Sequence, residues 1–225
     1  MLQVPPLDRP RGLKELAYQQ LRTLVVRGRL EPDTVYSATQ FADMLGVSRT
    51  PVREALLQLV SEGFFNVIKQ EGYTLRRFSE KEIRDLFETR RLIETYAAEK
   101  VTGTLSDPDA RQLKATLRGM ASLAAEGDVA GFLETDRAFH MAIIARLDNG
   151  MLSSIMDTIR GQITLFAAKA VSHKGRSDEI LREHGAILSA LCGKDPKKAV
   201  RATLEHLKTT EAYVLGAVEP GGKGR

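Results

Sequence analysis

Apolar residues follow a helical spacing in the first third of the chain, before the pattern changes to that of short strands. From Leu13 to Val26 apolar side chains return every three or four residues, which predicts an amphipathic helix. Two shorter helices are predicted at about 39–45 and 51–62, each ended by a glycine. The segments FFNVI and GYTLRR are rich in aromatic and branched residues and predict a small two-stranded hairpin. The expected order is helix, helix, helix, hairpin.

Beyond Phe78 the pattern is helical throughout. Ser79 and Glu82 have the spacing of a capping box at the start of a long helix. The pairs Asp107-Pro108 and Asp195-Pro196 each place a capping carboxylate before a proline, which marks two further helix starts. The predicted helices span about 80–100, 108–126, 129–147, 150–171, 178–192 and 196–217.

The change of pattern divides the chain into domains, and the fold class is mainly α. We expect an N-terminal domain over 11–78, an all-helical bundle of about six helices over 79–217 and a disordered, glycine-rich tail over 218–225. The chain has 225 residues, of which 43% are hydrophobic, so it can bury a sizeable core. It has no apolar run long enough for a membrane helix and no secretory signal, so we expect a cytoplasmic protein without membrane contact. Its single cysteine, Cys192, excludes an internal disulfide and is expected to be buried.

The net charge permits a polyanionic partner without requiring one. It is +4 with a pI near 9.2. Up to Phe78 the chain has 11 Lys and Arg against 8 Asp and Glu, and afterwards 22 against 21. The basic excess therefore lies mainly in the N-terminal domain.

The stretch FADMLGVSRTPVREAL has the spacing of a helix-turn-helix motif, at about 38–57. Ala42 is small enough for a helix crossing, Gly46 tolerates the turn, and Val52 packs the second helix. Ser48 or Thr50 can cap that second helix, and Pro51 suits its first turn. The alternative is an ordinary pair of helices joined by a glycine turn. The hairpin that follows favours a winged helix.

The run SRTPVREAL within residues 11–77 resembles the winged-helix domain of the GntR family of bacterial transcription regulators. Arg49 and Arg53 lie one helical turn apart at the helix start, where they can reach guanine edges or phosphates. The resemblance implies that these arginines contact DNA with Thr50 beside them. The complete set of expected DNA-binding residues is Ser48, Arg49, Thr50, Arg53, Lys69 and Gly72.

Two positions depart from the GntR pattern. Pro32-Asp33 replaces the family's Pro-Gly, and Gln70-Glu71-Gly72 replaces Asn-Arg-Gly at the tip of the wing. An acidic residue at the tip repels phosphate, which opposes the minor-groove contact expected of a wing. Lys69 can replace part of the lost positive charge.

Three of the four histidines fall on predicted helix faces of the bundle. Asp136 and His140 are four residues apart, so their side chains can share one cation. With His184 and His206 they offer three imidazoles and one carboxylate, a set that suits Zn, Ni or Mn. Taken singly, each histidine could instead be a hydrogen-bonded core residue. His173 is expected to be solvated.

The same four positions resemble the C-terminal domain of the FadR subfamily of GntR regulators, over about 79–215. That resemblance implies a divalent metal ion held by all four residues. It also implies that Arg90, in the motif Arg-x-x-x-Glu with Glu94, faces an effector cavity and binds a small organic carboxylate. The alternative for Arg90 and Glu94 is an ion pair on the helix surface.

These features together predict a transcription regulator rather than an enzyme. A homodimer would present two recognition helices to a palindromic double-stranded DNA operator, and a carboxylate effector on the metal would shift the DNA-binding state. A metalloenzyme acting on a small organic acid is one alternative, although no general base stands out beside the expected ligands. A regulator whose metal is purely structural is another.

Overall fold

The computed structural model describes residues 12–31 and 33–217. The chain divides after Arg76 into two compact units, close to the boundary expected after Phe78. Three sequence features lie outside the described residues: residue 11 at the expected start of the first domain, Pro32, and the tail expected over 218–225. Within the described ranges, no helix has the length and apolar character needed to cross a membrane.

The N-terminal unit is a winged helix, as the sequence predicts. Its elements are α1 (Leu13–Val26), α2 (Ala38–Leu45), α3 (Arg49–Ser61), β1 (Phe65–Ile68) and β2 (Gly72–Leu75). The two strands pair antiparallel with Phe65 opposite Leu75. Tyr36, just before α2, adds an isolated bridge to Tyr73 through two backbone hydrogen bonds.

Local signals set the helix-turn-helix geometry. Ser37 and Gln40 form a capping box that starts α2. Gly46 ends α2 with φ of 67°, a left-handed conformation that glycine adopts without steric penalty. The third helix begins at Arg49 rather than at Pro51, and Ser48 holds the N-cap position without a side-chain capping bond. Thr50 lies inside the helix, so its expected role as a cap is wrong.

A continuous apolar core fixes the recognition helix against the other two. Phe41 and Ala42 from α2 are buried, as is Val52 from α3, which confirms the packing expected from the motif. The other buried apolar residues of the unit include Leu21, Val25, Ala55, Leu56, Leu59, Phe64 and Phe65. Because one face of α3 is fully packed, its exposed face has a fixed orientation.

The second unit is an all-helical bundle in the described residues. Its helices are α4 (Glu80–Val101), α5 (Asp107–Glu126), α6 (Val129–Ala145), α7 (Gly150–Val171), α8 (Arg176–Leu191) and α9 (Pro196–Ala217). The capping box of Ser79 and the Asp195 cap are confirmed. Ser106, not Asp107, caps α5. The α8 helix begins two residues earlier than expected, after Gly175 with φ of 81°.

The bundle core is apolar around a polar centre. Its largest apolar cluster includes Ile93, Ala97, Leu113, Phe139, Ile143, Met156, Ile163, Ile187, Leu188 and Leu191. Several buried residues of α4, α6, α7, α8 and α9 are instead charged or polar. Cys192 is exposed at the C-cap of α8, so the expectation that it is buried is wrong. The helix ends one residue earlier than the apolar pattern indicates.

Candidate functional site

Three imidazoles from three helices meet inside the bundle. His140 of α6, His184 of α8 and His206 of α9 are all buried, and each offers a ring nitrogen within 4.8 Å of the others. The Nε2 atoms of His140 and His184 are 3.0 Å apart. The sequence expectation that these histidines face one interior is therefore confirmed.

Asp136 directs one carboxylate oxygen toward the histidines and the other toward an arginine. Its Oδ1 lies 3.4 Å from Nε2 of His184 and 3.9 Å from Nε2 of His140. Its Oδ2 accepts a hydrogen bond from Nη2 of Arg160, a buried residue of α7. Oδ1 can therefore coordinate a cation while Arg160 fixes the orientation of the carboxylate.

Two glutamates hold the outer nitrogens of two histidines. The Nδ1 atom of His140 lies 2.5 Å from Glu94 of α4, and Nδ1 of His206 lies 2.7 Å from Glu183 of α8. A carboxylate at Nδ1 makes that nitrogen the N–H donor, so the Nε2 lone pair remains available to a metal. His184 has no such partner among the described residues, but its ring stacks on Phe139 at a centroid distance of 4.6 Å.

The two glutamates are themselves fixed by arginines. Nε of Arg90 donates to Glu94 at 2.7 Å, and Nη1 of Arg176 donates to Glu183 at the same distance. Arg176 also donates to the hydroxyl of Thr210. Arg90 and Glu94 are only 1% and 4% exposed, so the alternative of an ion pair on the helix surface is wrong.

Burial sets the protonation of the cluster. It lowers the pKa of His140, and it lowers the pKa of His184 and His206 well below the usual range. Burial raises the pKa of Glu94, but the Arg90 guanidinium opposes it and the net pKa is well below the usual range. The site therefore presents neutral imidazoles and ionised carboxylates at neutral pH, which are the forms that bind metals.

A small cavity of about 30 Å³ adjoins the cluster. It is lined by His206, Asp136 and the guanidinium-bearing residues Arg90, Arg160 and Arg176. Its apolar wall includes Leu133, Ile163, Ala167, Val171, Ile180 and Val214. A space of this size between cationic groups is suited to one small anionic group, such as a carboxylate.

The expected DNA-binding residues of α3 all lie at its exposed N-terminal end. Ser48, Arg49, Thr50 and Arg53 are exposed, and free backbone N–H groups of the first turn lie beside them. Such a helix end attracts phosphate.

The wing tip combines an exposed cation with a strained turn. Lys69 is exposed, and Gln70 has φ of 66°. Gly72 has φ of 148°, and an added Cβ would lie 2.4 Å from the carbonyl oxygen of Tyr36. The backbone therefore requires glycine at position 72, whether or not this residue contacts DNA.

Comparison with known proteins agrees with both units. The family model for the FCD domain matches residues 85–209, and the model for bacterial regulatory proteins of the gntR family matches residues 13–75. The chain belongs to the GntR family, with an FCD domain following its helix-turn-helix domain. This shows a DNA-binding transcription regulator.

Similar proteins support the same family over most of the chain. The transcriptional repressor RspR of Escherichia coli (strain K12) is 24% identical over 90% of this chain and 89% of its own length. The gluconate operon transcriptional repressor of Bacillus subtilis (strain 168) is 29% identical over 80% of this chain and 75% of its own length. The fold is shared with a GntR structure from Rhodococcus sp. RHA1, which has a TM-score of 0.80 at 21% identity and is matched over 92% of this chain and 99% of its own. The names of these relatives agree with the expectation of a regulator rather than an enzyme.

Sequence reasoning assigned no role to three charged residues of this regulator's polar centre: Arg160, Arg176 and Glu183. Arg160 did carry a signal, because it falls on the apolar stripe of α7, four residues after Met156 and three before Ile163. Glu183 directly precedes His184 but reaches His206 on another helix, and spacing along the chain does not show such a contact.

Proposed function

We propose that this GntR regulator binds a divalent metal ion in its FCD domain and that a small organic carboxylate bound there controls DNA binding. The ligands would be Asp136, His140, His184 and His206. The observation that carries the proposal is a convergence of electron-pair donors. Because Glu94 and Glu183 occupy the Nδ1 atoms of His140 and His206, the Nε2 lone pairs face the same interior as Oδ1 of Asp136. Converging lone pairs in a buried site repel each other unless a proton or a metal cation lies between them, and a single proton can be shared by only one pair, such as the two Nε2 atoms of His140 and His184.

The ligand set suits a first-row metal such as Zn, Ni or Mn. Imidazole nitrogens combined with one carboxylate bind all three, and four protein ligands leave coordination positions for a further group on Ni or Mn. The metal would supply Lewis acidity that holds a carboxylate. The same Asp, His, His and His pattern supports placement in the FadR subfamily.

Arg90 is proposed to bind the effector. Its guanidinium is buried and lines the cavity beside the histidines, and its Nη2 has no hydrogen-bond acceptor among the described residues. A carboxylate in the cavity could accept from this group.

We propose that each subunit of a homodimer presents one DNA-binding face. The residues expected to contact the major groove or its phosphates are Ser48, Arg49, Thr50 and Arg53, with Lys69 and Gly72 of the wing near the DNA backbone.

Exposed apolar residues on α4 and α7 support a homodimer formed through the bundle: Leu92, Tyr96, Met151 and Ile155. A twofold dimer would read a palindromic operator.

Calorimetry with metal-loaded and metal-stripped protein tests the proposal against its alternatives. Small organic acids are titrated into both forms, and the product mixture is checked for turnover. Binding that requires the metal, without turnover, supports the proposed sensor. Turnover would favour a metalloenzyme, and absence of binding to either form would favour a purely structural metal.

A further inference from the structure

The charges buried around the histidines cancel one another. Among the described residues that form the polar centre, Arg90 pairs with Glu94, Arg160 with Asp136 and Arg176 with Glu183. Arg176 also contacts Glu179, but that carboxylate is 38% exposed and is therefore screened by solvent. The three guanidiniums are at most 3% exposed, so solvent screens them little. Histidines that bind a metal are neutral and add no charge. The polar centre is therefore neutral before a divalent cation enters.

A divalent ion leaves this centre with two excess positive charges. An uncompensated charge is costly in a buried site, and the surrounding carboxylates are already matched to arginines. A bound effector that carries one negative charge would balance half of the excess. One that carries two would restore neutrality.

The cavity also offers a place for a second acidic group. Arg90 and Arg160 both line it, next to the expected ligands Asp136 and His206. Nη2 of Arg90 is buried without a described acceptor, and an unpaired buried donor is itself unfavourable. An anionic group in the cavity would satisfy this donor while a first acidic group reaches the metal.

We propose that the effector is a short acid with two anionic groups, one held by the metal and the other by Arg90 and Arg160. The inference rests on the proposed metal-dependent binding of a carboxylate. It adds Arg160 as a binding residue, because this arginine both orients Asp136 and contributes positive charge to the cavity. At about 30 Å³ the cavity has room for little more than one acidic group, so we expect only a short chain between this group and the one on the metal.

Matched pairs of acids test whether the effector carries one anionic group or two. Nickel-loaded protein is titrated calorimetrically with succinate against butyrate and with malonate against propionate, and buffer titrations correct for metal bound by the free acids. Each dicarboxylate is expected to bind at least about tenfold more tightly than its partner, as a charge-assisted hydrogen bond implies. Equal affinities would overturn the two-charge inference and leave the proposed function intact. Binding of none of the four acids to the metal-loaded protein would contradict the proposed function and this inference together.

Removing one cavity charge tests the role of Arg160. In Arg160→Gln the preference for succinate over butyrate is expected to fall severalfold, with metal content measured on the same sample. Arg91→Gln is the matched control, because Arg91 pairs with Glu211 and does not line the cavity. An unchanged preference in a metal-bearing Arg160→Gln protein would overturn this assignment. If that variant loses its metal, Arg90→Gln replaces it, and an unchanged preference there would equally contradict the proposed anion site.

Discussion

Glu183 accepts hydrogen bonds from Arg176 and faces Nδ1 of His206 at 2.7 Å. The glutamate thus connects a cavity arginine to an expected metal ligand on another helix. Glu94 makes the equivalent connection between Arg90 and His140. In both cases an anion that attracts the arginine can alter the orientation of a ligand histidine, which couples the cavity to the histidine cluster.

Replacing Glu183 by glutamine is expected to weaken metal binding. The amide has no charge to stabilise a metal-bound imidazole, so the metal affinity should fall by about 10-fold to 100-fold. Competition with a chromophoric chelator measures this affinity, and circular dichroism checks that the helices are retained. Glu205→Gln makes the same change at an exposed position beside His206 and should leave the affinity unchanged. Wild-type affinity in Glu183→Gln would show that the glutamate does not position this histidine.

The metal-free protein is expected to lose stability in acid. Burial lowers the pKa of all three cluster histidines, so the unfolded chain takes up protons that the folded chain excludes. The histidines therefore leave the free energy of unfolding unchanged above the unfolded pKa of about 6.5 and reduce it as the pH falls below that value. The loss is up to about 1.4 kcal/mol per pH unit for each histidine.

Urea unfolding of chelator-treated protein between pH 7.5 and 5 measures this loss. His173→Gln, which removes an exposed histidine, should leave the pH dependence unchanged, whereas His184→Gln should reduce it. A free energy of unfolding that stays constant over this range would contradict the buried neutral cluster.

Arg49→Ala and Arg53→Ala are each expected to weaken operator binding by about 1 to 3 kcal/mol. Both side chains are exposed at the start of α3, so the fold should remain intact. Gel-shift titrations at two salt concentrations measure the loss, and Arg201→Ala, an exposed change in the bundle, serves as the control. Unchanged affinity in both α3 variants would remove these arginines from the DNA contact.

Gly46→Ala is expected to destabilise the winged helix by about 1 to 2 kcal/mol, because φ of 67° brings a side-chain Cβ close to the following carbonyl. Gly119→Ala is a useful comparison, since this exposed glycine lies within α5 and a Cβ there meets nothing within 4 Å. That variant should gain about 0.5 to 1 kcal/mol. Thermal unfolding of both proteins measures the difference. Equal stability of Gly46→Ala and the wild type would mean that the turn does not require glycine.

Local sequence signals predicted most of the fold. Helical periodicity and capping residues such as Ser79 and Asp195 located the bundle helices within a few residues, and Gly46 located the turn. The errors lie at helix ends. At α5, Ser106 competes with Asp107 for the cap and takes it because Asp109 completes the capping box. At α8, the helix begins at Arg176 directly after Gly175, two residues before the predicted start.

The candidate site was only partly predictable. Asp136 and His140 share a helix, so their spacing alone places them together, and the histidines of α8 and α9 follow from their apolar faces. The contacts of Arg160 with Asp136 and of Glu183 with His206 join different helices. Such pairings depend on how helices pack against each other, which the spacing of residues in one helix does not encode.

Metal content tests the central claim most directly. Protein loaded with nickel or zinc, desalted and analysed for metal is expected to retain one ion per chain, whereas His184→Ala treated in the same way should lose most of it. Size-exclusion chromatography should show that the variant assembles as the wild type does. Stoichiometric metal in His184→Ala, or none in the wild type, would contradict a metal site built on these three histidines.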